Sequence, residues 1–359
     1  MTHRERVLKT FQFQQADRIP YDLMEGYVWQ ELSDYFRKEH GIDDNNKILD
    51  FLDTDFRWVW ITYQPPKPAT EPIEKPVETK ITDEKPNIVY SRPVANGPLA
   101  DARTIADVEA YKMPDPSYWQ PGDFAEARRK WQDHAIVFLP GWMPLFWGAC
   151  DAFGMESALI KMISEPKIFE AFIKRQHEFY MDILRRGVKS AQGICDICWL
   201  GDDFSSQEST LMNPDLWRKY IKPYLAEQVQ LIRDHDLYVL YHSCGAVRPI
   251  LNDLIDIGVN GLLVFQTSAR GMDAKSIAEE FGGRLAFYGG IDVQQLLSYG
   301  TVEDVKNTVH ANIKAFENCG GYIVANSHHR VDTIKGENVL AMCESARSAK
   351  IERNLKGCR

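Results

Sequence analysis

From about residue 134 onward, short apolar runs alternate with longer amphipathic stretches. The runs cover 135–139, 194–200, 237–241, 261–265, 285–288 and 321–325. Helical periodicity fills 145–164, 166–190, 214–234, 247–256, 273–281, 302–317 and 336–350. A run that is apolar at every position belongs in a strand covered on both faces, and helices between such strands make the sheet parallel. Upstream, residues 3–13 and 28–39 read as helices, with a strand between them at about 19–24. Six repeating units and that first strand approach the eight of a closed barrel. The expected fold class is therefore α/β, a single (β/α)8 TIM-type barrel spanning residues 1–359. No Gly-x-Gly-x-x-Gly follows any of the apolar runs, which removes the main support for an open dinucleotide-binding sheet.

One stretch breaks the pattern. Between about 63 and 116 prolines recur at short intervals, and Thr, Val and Ile alternate between them, as in Val77-Glu78-Thr79-Lys80-Ile81-Thr82. This predicts an antiparallel β excursion with turns at Asp83-Glu84 and Asn96-Gly97.

Charge and cysteine content narrow the function classes. A formal charge of −9 lacks the basic balance of a nucleic-acid binder. The seven cysteines are scattered without a framework spacing, which points to reduced thiols and a cytoplasmic protein. The charged start Met1-Thr2-His3-Arg4-Glu5-Arg6 is not followed by an apolar signal segment, and no run reaches the roughly 18 apolar residues of a membrane helix. Cys195 and Cys198 form a Cys-x-x-Cys, but at the head of an apolar run they read as core rather than redox residues.

In a barrel of this kind chemistry gathers where the strands end. The run 237–241 delivers His242 and Cys244, a His-x-Cys pair able to face one point, and imidazole and thiolate are favoured zinc donors. Asp22 and Glu25 follow the first strand, Trp142 and Phe146 follow 135–139, and Asp202 and Asp203 follow 194–200. Gln266, Asp292 and the segment Asn326-Ser327-His328-His329-Arg330 end the remaining runs. Asp202 and Asp203 suit acid–base chemistry or the orientation of a ligand histidine, with helix capping as the plainer role. Asp292 is either substrate-binding or a cap, and Gln266 a hydrogen-bond donor to substrate or polar lining. Tyr27, Trp29, Trp58, Trp60, Trp142, Phe146, Trp147 and Trp199 cluster in the first half of the barrel. They form either an apolar pocket for a flat substrate or shell packing.

Over essentially its whole length the chain resembles the uroporphyrinogen decarboxylase superfamily. The resemblance rests on Arg4-Glu5-Arg6-Val7-Leu8, Ala16-Asp17-Arg18-Ile19-Pro20, Gly201-Asp202-Asp203, Asn213-Pro214-Asp215-Leu216-Trp217, Tyr241-His242-Ser243-Cys244-Gly245, Gly289-Gly290-Ile291-Asp292 and Gly320-Gly321-Tyr322-Ile323. It implies a single barrel. The decarboxylase itself carries Arg-Gln-Ala-Gly-Arg-Tyr after its first strand to hold an acidic porphyrinogen. This chain has Tyr21-Asp22-Leu23-Met24-Glu25-Gly26-Tyr27 there, whose carboxylates would repel such a substrate. It looks instead like the cobalamin-dependent methyltransferase branch, whose members hold zinc with His-x-Cys and a later cysteine. His242 and Cys244 match the pair, but no cysteine follows the last strand, so the third ligand falls to His328, with His329 or Glu25 as alternatives.

The resemblance thus implies a zinc-dependent methyltransferase, O-demethylase-like, acting between a small, methoxylated substrate and the cobalt of a corrinoid. The expected catalytic residues are Glu25, Asp202 and Asp203, and the expected substrate-binding residues are Tyr27, Trp142, Phe146, Gln266 and Asp292. The chain has no Asp-x-His-x-x-Gly segment of a cobalamin-binding domain, so the corrinoid should come from a partner protein. A homodimer is compatible with the sequence. The alternatives are a metal-independent decarboxylase using Asp22 or Asp203, and a non-catalytic barrel that binds a corrinoid or tetrapyrrole.

Overall fold

The computed structural model describes residues 1–64, 97–328 and 333–349. Among the described residues nine strands are formed: β1 Phe56–Trp60, β2 Thr62–Tyr63, β3 Trp119–Gln120, β4 Ala135–Leu139, β5 Ile197–Gly201, β6 Tyr238–His242, β7 Gly261–Phe265, β8 Ala286–Ile291 and β9 Tyr322–Asn326. Seven of them make one parallel sheet in the order β1-β4-β5-β6-β7-β8-β9, with helices between successive strands from β4 onward. The six apolar runs read from the sequence are six of these strands.

The seventh strand, β1, was not among those expected, and the expected strand at 19–24 is only partly formed. Its residue Tyr21 bridges Val324 of β9. The Asp22 N–H donates to the Val324 carbonyl at 3.0 Å, and the Asp55 N–H donates to the Tyr21 carbonyl at 3.0 Å. This segment thereby stands between β9 and β1 and closes the ring as its eighth stave. It stays short because Pro20 has no N–H to extend the ladder and because a 3-10 turn, Met24–Gly26, begins at once.

Alternation along the strands divides the apolar residues into two clusters. Phe56, Trp58, Val137, Leu139, Ile197, Trp199, Leu240, Leu263, Tyr288, Ile323 and Ala325 fill the barrel interior. Their neighbours Ile136, Phe138, Cys198, Leu200, Val239, Tyr241, Leu262, Phe287, Tyr322 and Val324 lie in the layer beneath the helices. This is the period of two expected of a strand covered on both faces. Cys195 also packs in that outer layer, so both cysteines of the Cys-x-x-Cys are core. Val7 and Phe11 of the helix His3–Phe11 join the interior cluster and stopper the N-terminal end. Thr2 and Glu5 form a capping box that fixes where this helix begins, a device worth about 1 kcal/mol.

Around that stopper lies an ionic network. Asp55, fully buried, accepts from His3 Nδ1 at 2.8 Å, Arg6 at 2.5 Å, Arg18 at 2.7 Å and the Tyr21 N–H at 2.9 Å. Asp196 accepts from Arg4 at 2.8 Å, Arg128 at 2.6 Å and the Ile136 N–H at 2.9 Å. Asp55 immediately precedes β1 and Asp196 precedes β5, so the network ties the strand starts together.

The excursion departs from expectation where it is described. β2 and β3 pair antiparallel at its base, Thr62 with Gln120 and Tyr63 with Trp119. Within it, however, Ile105–Ala110 is a helix started by a Thr104/Asp107 capping box, followed by a 3-10 turn at Pro116–Tyr118. The Thr–x–x–Asp cap decides for helix locally. The turn expected at Asp83-Glu84 lies outside the described residues, as does Asn96 of the second. No described helix is long and apolar enough to cross a membrane.

Candidate active site

β6 ends on His242, whose position in the period of two turns its ring into the barrel. Cys244 follows two residues on in the same interior cluster. Asp203, just beyond β5, reaches across to both. Its Oδ1 lies 3.6 Å from His242 Nε2 and 3.3 Å from Cys244 Sγ, and it also accepts the Cys244 N–H at 3.2 Å. On the other side of the imidazole, Glu25 Oε1 lies 3.9 Å from Nδ1. That nitrogen is buried and has no hydrogen-bond partner among the described residues.

Two indoles wall the histidine. Trp142 stands edge-on to it and Trp199 is tilted against it, each with ring centroids 5.6 Å away. Trp142 is 43% exposed and Trp199 buried, so one forms the rim and the other the wall. This packing requires Gly201: a Cβ there would lie 2.7 Å from Trp142 Cζ3 and 2.9 Å from His242 Cβ.

The charged groups facing His242 among the described residues are the carboxylates Asp203, Glu25 and Asp202. Burial alone would lower the imidazole's proton affinity, but these carboxylates outweigh it and raise it. Burial likewise pushes Asp203 up, yet the hydrogen bonds from His242 and Cys244 carry it below the usual carboxylate range. Glu25 moves the opposite way, held up by burial. Burial, with Asp203 beside it, pushes the Cys244 thiol well up, and the thiol donates its proton to Asp203. Two carboxylates beside one imidazole thus differ in proton affinity, the usual mark of an acid and its ionised counterpart.

Glu25 reaches His242 through an unusual backbone. It sits in the left-handed region, φ 57° and ψ 20°, where a residue with a Cβ is strained by about 1 kcal/mol or more. Beneath it lies a residue pair that the sequence did not reveal as a pair. Asp22 Oδ2 accepts from Trp58 Nε1 at 2.8 Å and from the Tyr288 hydroxyl at 2.9 Å. Trp58 was expected only as one of a crowd of aromatics. Tyr288 was missed altogether, although its place two residues before Gly290 in an alternating strand marks it as inward-facing.

A scan against family models matches residues 95–349 to uroporphyrinogen decarboxylase (URO-D). The chain belongs to the uroporphyrinogen decarboxylase family. Among solved structures it is similar to a methyltransferase from Methanosarcina mazei, at 17% identity and a TM-score of 0.64, covering 97% of this chain and 98% of that one. At that identity the likeness speaks for the fold. No curated protein matches the chain in sequence.

Within this family barrel, the residues expected to act separate into two sets. Glu25, Asp203, His242, Cys244 and Trp142 converge. Tyr27, 47% exposed, follows Gly26 directly after the Glu25 turn. The others are placed elsewhere. Phe146 is fully buried in the layer beneath the helices, so its ring is core rather than a substrate contact. Asp202 spends both oxygens on the N–H groups of Phe146 and Trp147, at 2.7 and 2.9 Å. It anchors the start of the helix Phe146–Phe153, a positioning role rather than a catalytic one. Gln266 accepts the Gly245 N–H at 2.8 Å and so fixes the turn behind Cys244. Asp292 accepts from the N–H groups of Gln295 and Leu296 at 2.7 and 3.3 Å, the capping role.

The donors at His242 suit zinc in kind: a buried imidazole nitrogen with no hydrogen-bond partner among the described residues, a thiol, and an orienting carboxylate. Among the described residues, no three such side chains already enclose a metal position. His328, half-buried just past β9, therefore does not close a shell with His242 and Cys244 in this conformation. His329 lies outside the described residues.

Proposed function

We propose that this protein is a zinc-dependent methyltransferase that moves a methyl group between a small methoxylated substrate and the cobalt of a corrinoid held by a partner protein. The observation that carries the reading is the convergence of His242, Cys244 and Asp203 at one barrel mouth. The surrounding charges support it. A polycarboxylate such as a porphyrinogen would meet the ionised Asp203 there instead of arginines. A neutral methoxylated ring meets no such repulsion, and Trp142 offers it a partly exposed aromatic edge.

His242 and Cys244 would hold the metal, with His328, His329 or Glu25 standing in for the third cysteine of the related methyltransferases. Zinc, when bound, supplies a Lewis acid that polarises the substrate oxygen. The chain's own residues do the rest. Asp203, kept ionised, orients His242 through Nε2. Glu25, its proton affinity raised by burial, gives a proton to the oxygen that leaves as the methyl C–O bond breaks. Trp199 and Trp142 keep water from the face of His242.

The test is the metal content of the purified protein beside His242→Ala and Cys244→Ala, followed by methyl transfer from methoxylated aromatics to a corrinoid protein. Near-stoichiometric zinc that both variants lose, with transfer by the wild type alone, is the expected result. Wild type that takes up no zinc on reconstitution would overturn the mechanism and bring forward the metal-independent decarboxylase.

A further inference from the structure

The strained turn that carries Glu25 has three separate anchors, and two of them meet at one buried carboxyl. The Tyr288 hydroxyl lies 3.2 Å from the Leu23 carbonyl, and the Glu25 amide faces the same phenol oxygen. Asn326 Oδ1 accepts the Met24 N–H at 2.9 Å. Trp58 packs over Gly26 so closely that a Cβ there would lie 2.7 Å from its Cδ1. Gly26 also has φ 62°, so the turn places two successive residues in the left-handed region. A backbone of that kind persists only where its surroundings over-determine it.

Asp22 organises two of these anchors. It is fully buried at the floor of the site, and its Oδ2 takes both the Trp58 indole N–H and the Tyr288 hydroxyl. The two rings stand edge-to-face, 6.2 Å apart. Such a carboxyl is poorly placed to be ionised, because its interior neighbours are neutral rings. Burial pushes it up to about 8 even with both donors and Arg57 pulling it down. The Tyr288 hydroxyl, set between Asp22 Oδ2 and the Leu23 carbonyl, ties the floor of the site to the turn.

We infer that Tyr288, held by Asp22 and Trp58, is a positioning residue for Glu25, clamping the Leu23–Gly26 turn so that the Glu25 carboxyl is held against His242. The inference rests on the methyltransferase reading only for what Glu25 then does; the clamp itself is a matter of geometry.

Crystal structures of Tyr288→Phe and Asp22→Ala test it directly, with Asp22→Asn as the conservative control. In Tyr288→Phe and Asp22→Ala, Glu25 should leave the left-handed region and its carboxyl should withdraw beyond 3.9 Å from His242 Nδ1. Asp22→Asn, which still accepts from Trp58 and Tyr288, should keep it in place. In a working methyl-transfer assay, Tyr288→Phe should lower kcat by a factor like that of Glu25→Gln, about 100-fold or more, with KM little changed. A folded Tyr288→Phe protein with Glu25 unmoved would overturn the clamp. A displaced Glu25 together with a wild type that transfers no methyl group would leave the clamp standing and remove the proposed chemistry.

Discussion

At the N-terminal end of the barrel, Asp55 and Asp196 are buried among arginines and backbone N–H groups. At the C-terminal end, Asp22 is buried, and Glu25 and Asp203 half-buried, among aromatic rings, an imidazole and a thiol. The two ends give the same residue type opposite characters. Burial alone would raise Asp55, but His3, Arg18 and Arg6 outweigh it and hold it below the usual carboxylate range. Burial prevails at Asp22 and Glu25, which are pushed up. Asp203 is low because His242 and Cys244 donate to it. Carboxyls held among arginines at the strand starts serve the fold, whereas those set among rings, an imidazole and a thiol at the strand ends face the site, the division of labour expected of a barrel.

The sharpest way to break this comparison is to remove a carboxylate from each end. Asp55→Ala would strand Arg6 and Arg18, together with His3 and the Tyr21 N–H, and should cost about 3–5 kcal/mol, the range for a buried ion pair that loses one partner. Glu25→Gln, at the other end, removes a carboxyl that burial already disfavours in its charged form, and should cost about 1 kcal/mol or less. Urea unfolding of both variants measures the contrast. Equal losses would mean that the upper carboxyls are structural as well.

A smaller effect sharpens the description of the upper end. Gly201→Ala puts a methyl group against the root of His242 and the edge of Trp142, and should cost about 1–3 kcal/mol in overpacking. If the site is built around that close approach, zinc binding should weaken along with stability. Unchanged affinity would show that His242 can shift without loss.

How much of this was legible beforehand follows from the range of the interactions involved. Six strands were visible because each is apolar at nearly every position. β1 was not, because Arg57 interrupts Phe56-Arg57-Trp58-Val59-Trp60. Arg57 is buried all the same, its terminal nitrogens taken up by Asp50 and the Thr54 and Phe56 carbonyls, a pairing that no local pattern reveals. His242 and Cys244 were legible from their spacing at a strand end. Capping was one of the roles the sequence left open for Asp202 and Asp292, and the structure shows both accepting backbone N–H groups. That Gln266 would turn to the Gly245 N–H was not legible, because that turn is set only by the folded barrel. The Arg4, Arg6, Asp17 and Arg18 motif was visible as family resemblance, but its work as a base network depends on Asp55 and Asp196, far off in sequence.

The finest test of the contrast lies in pH. The Asp22 carboxyl, ordinarily near 4, is pushed by burial up to about 8 in the folded protein. Between those values the folded chain holds a proton at Asp22 that the unfolded chain has released. Such a group contributes stability that is fully present below about pH 4 and is lost as pH rises through about 8. Tyr288 and Cys343 face it, and burial pushes both of them up and out of that window. Asp22→Asn keeps the shape and removes the titration. The stability of wild type relative to this variant should therefore fall with rising pH, by about 1.4 kcal/mol per unit at its steepest. Urea unfolding of both proteins at pH 5, 6, 7 and 8 reads the slope. A flat difference would mean that Asp22 is ionised when folded, so that the upper end, like the lower, stabilises a buried negative charge.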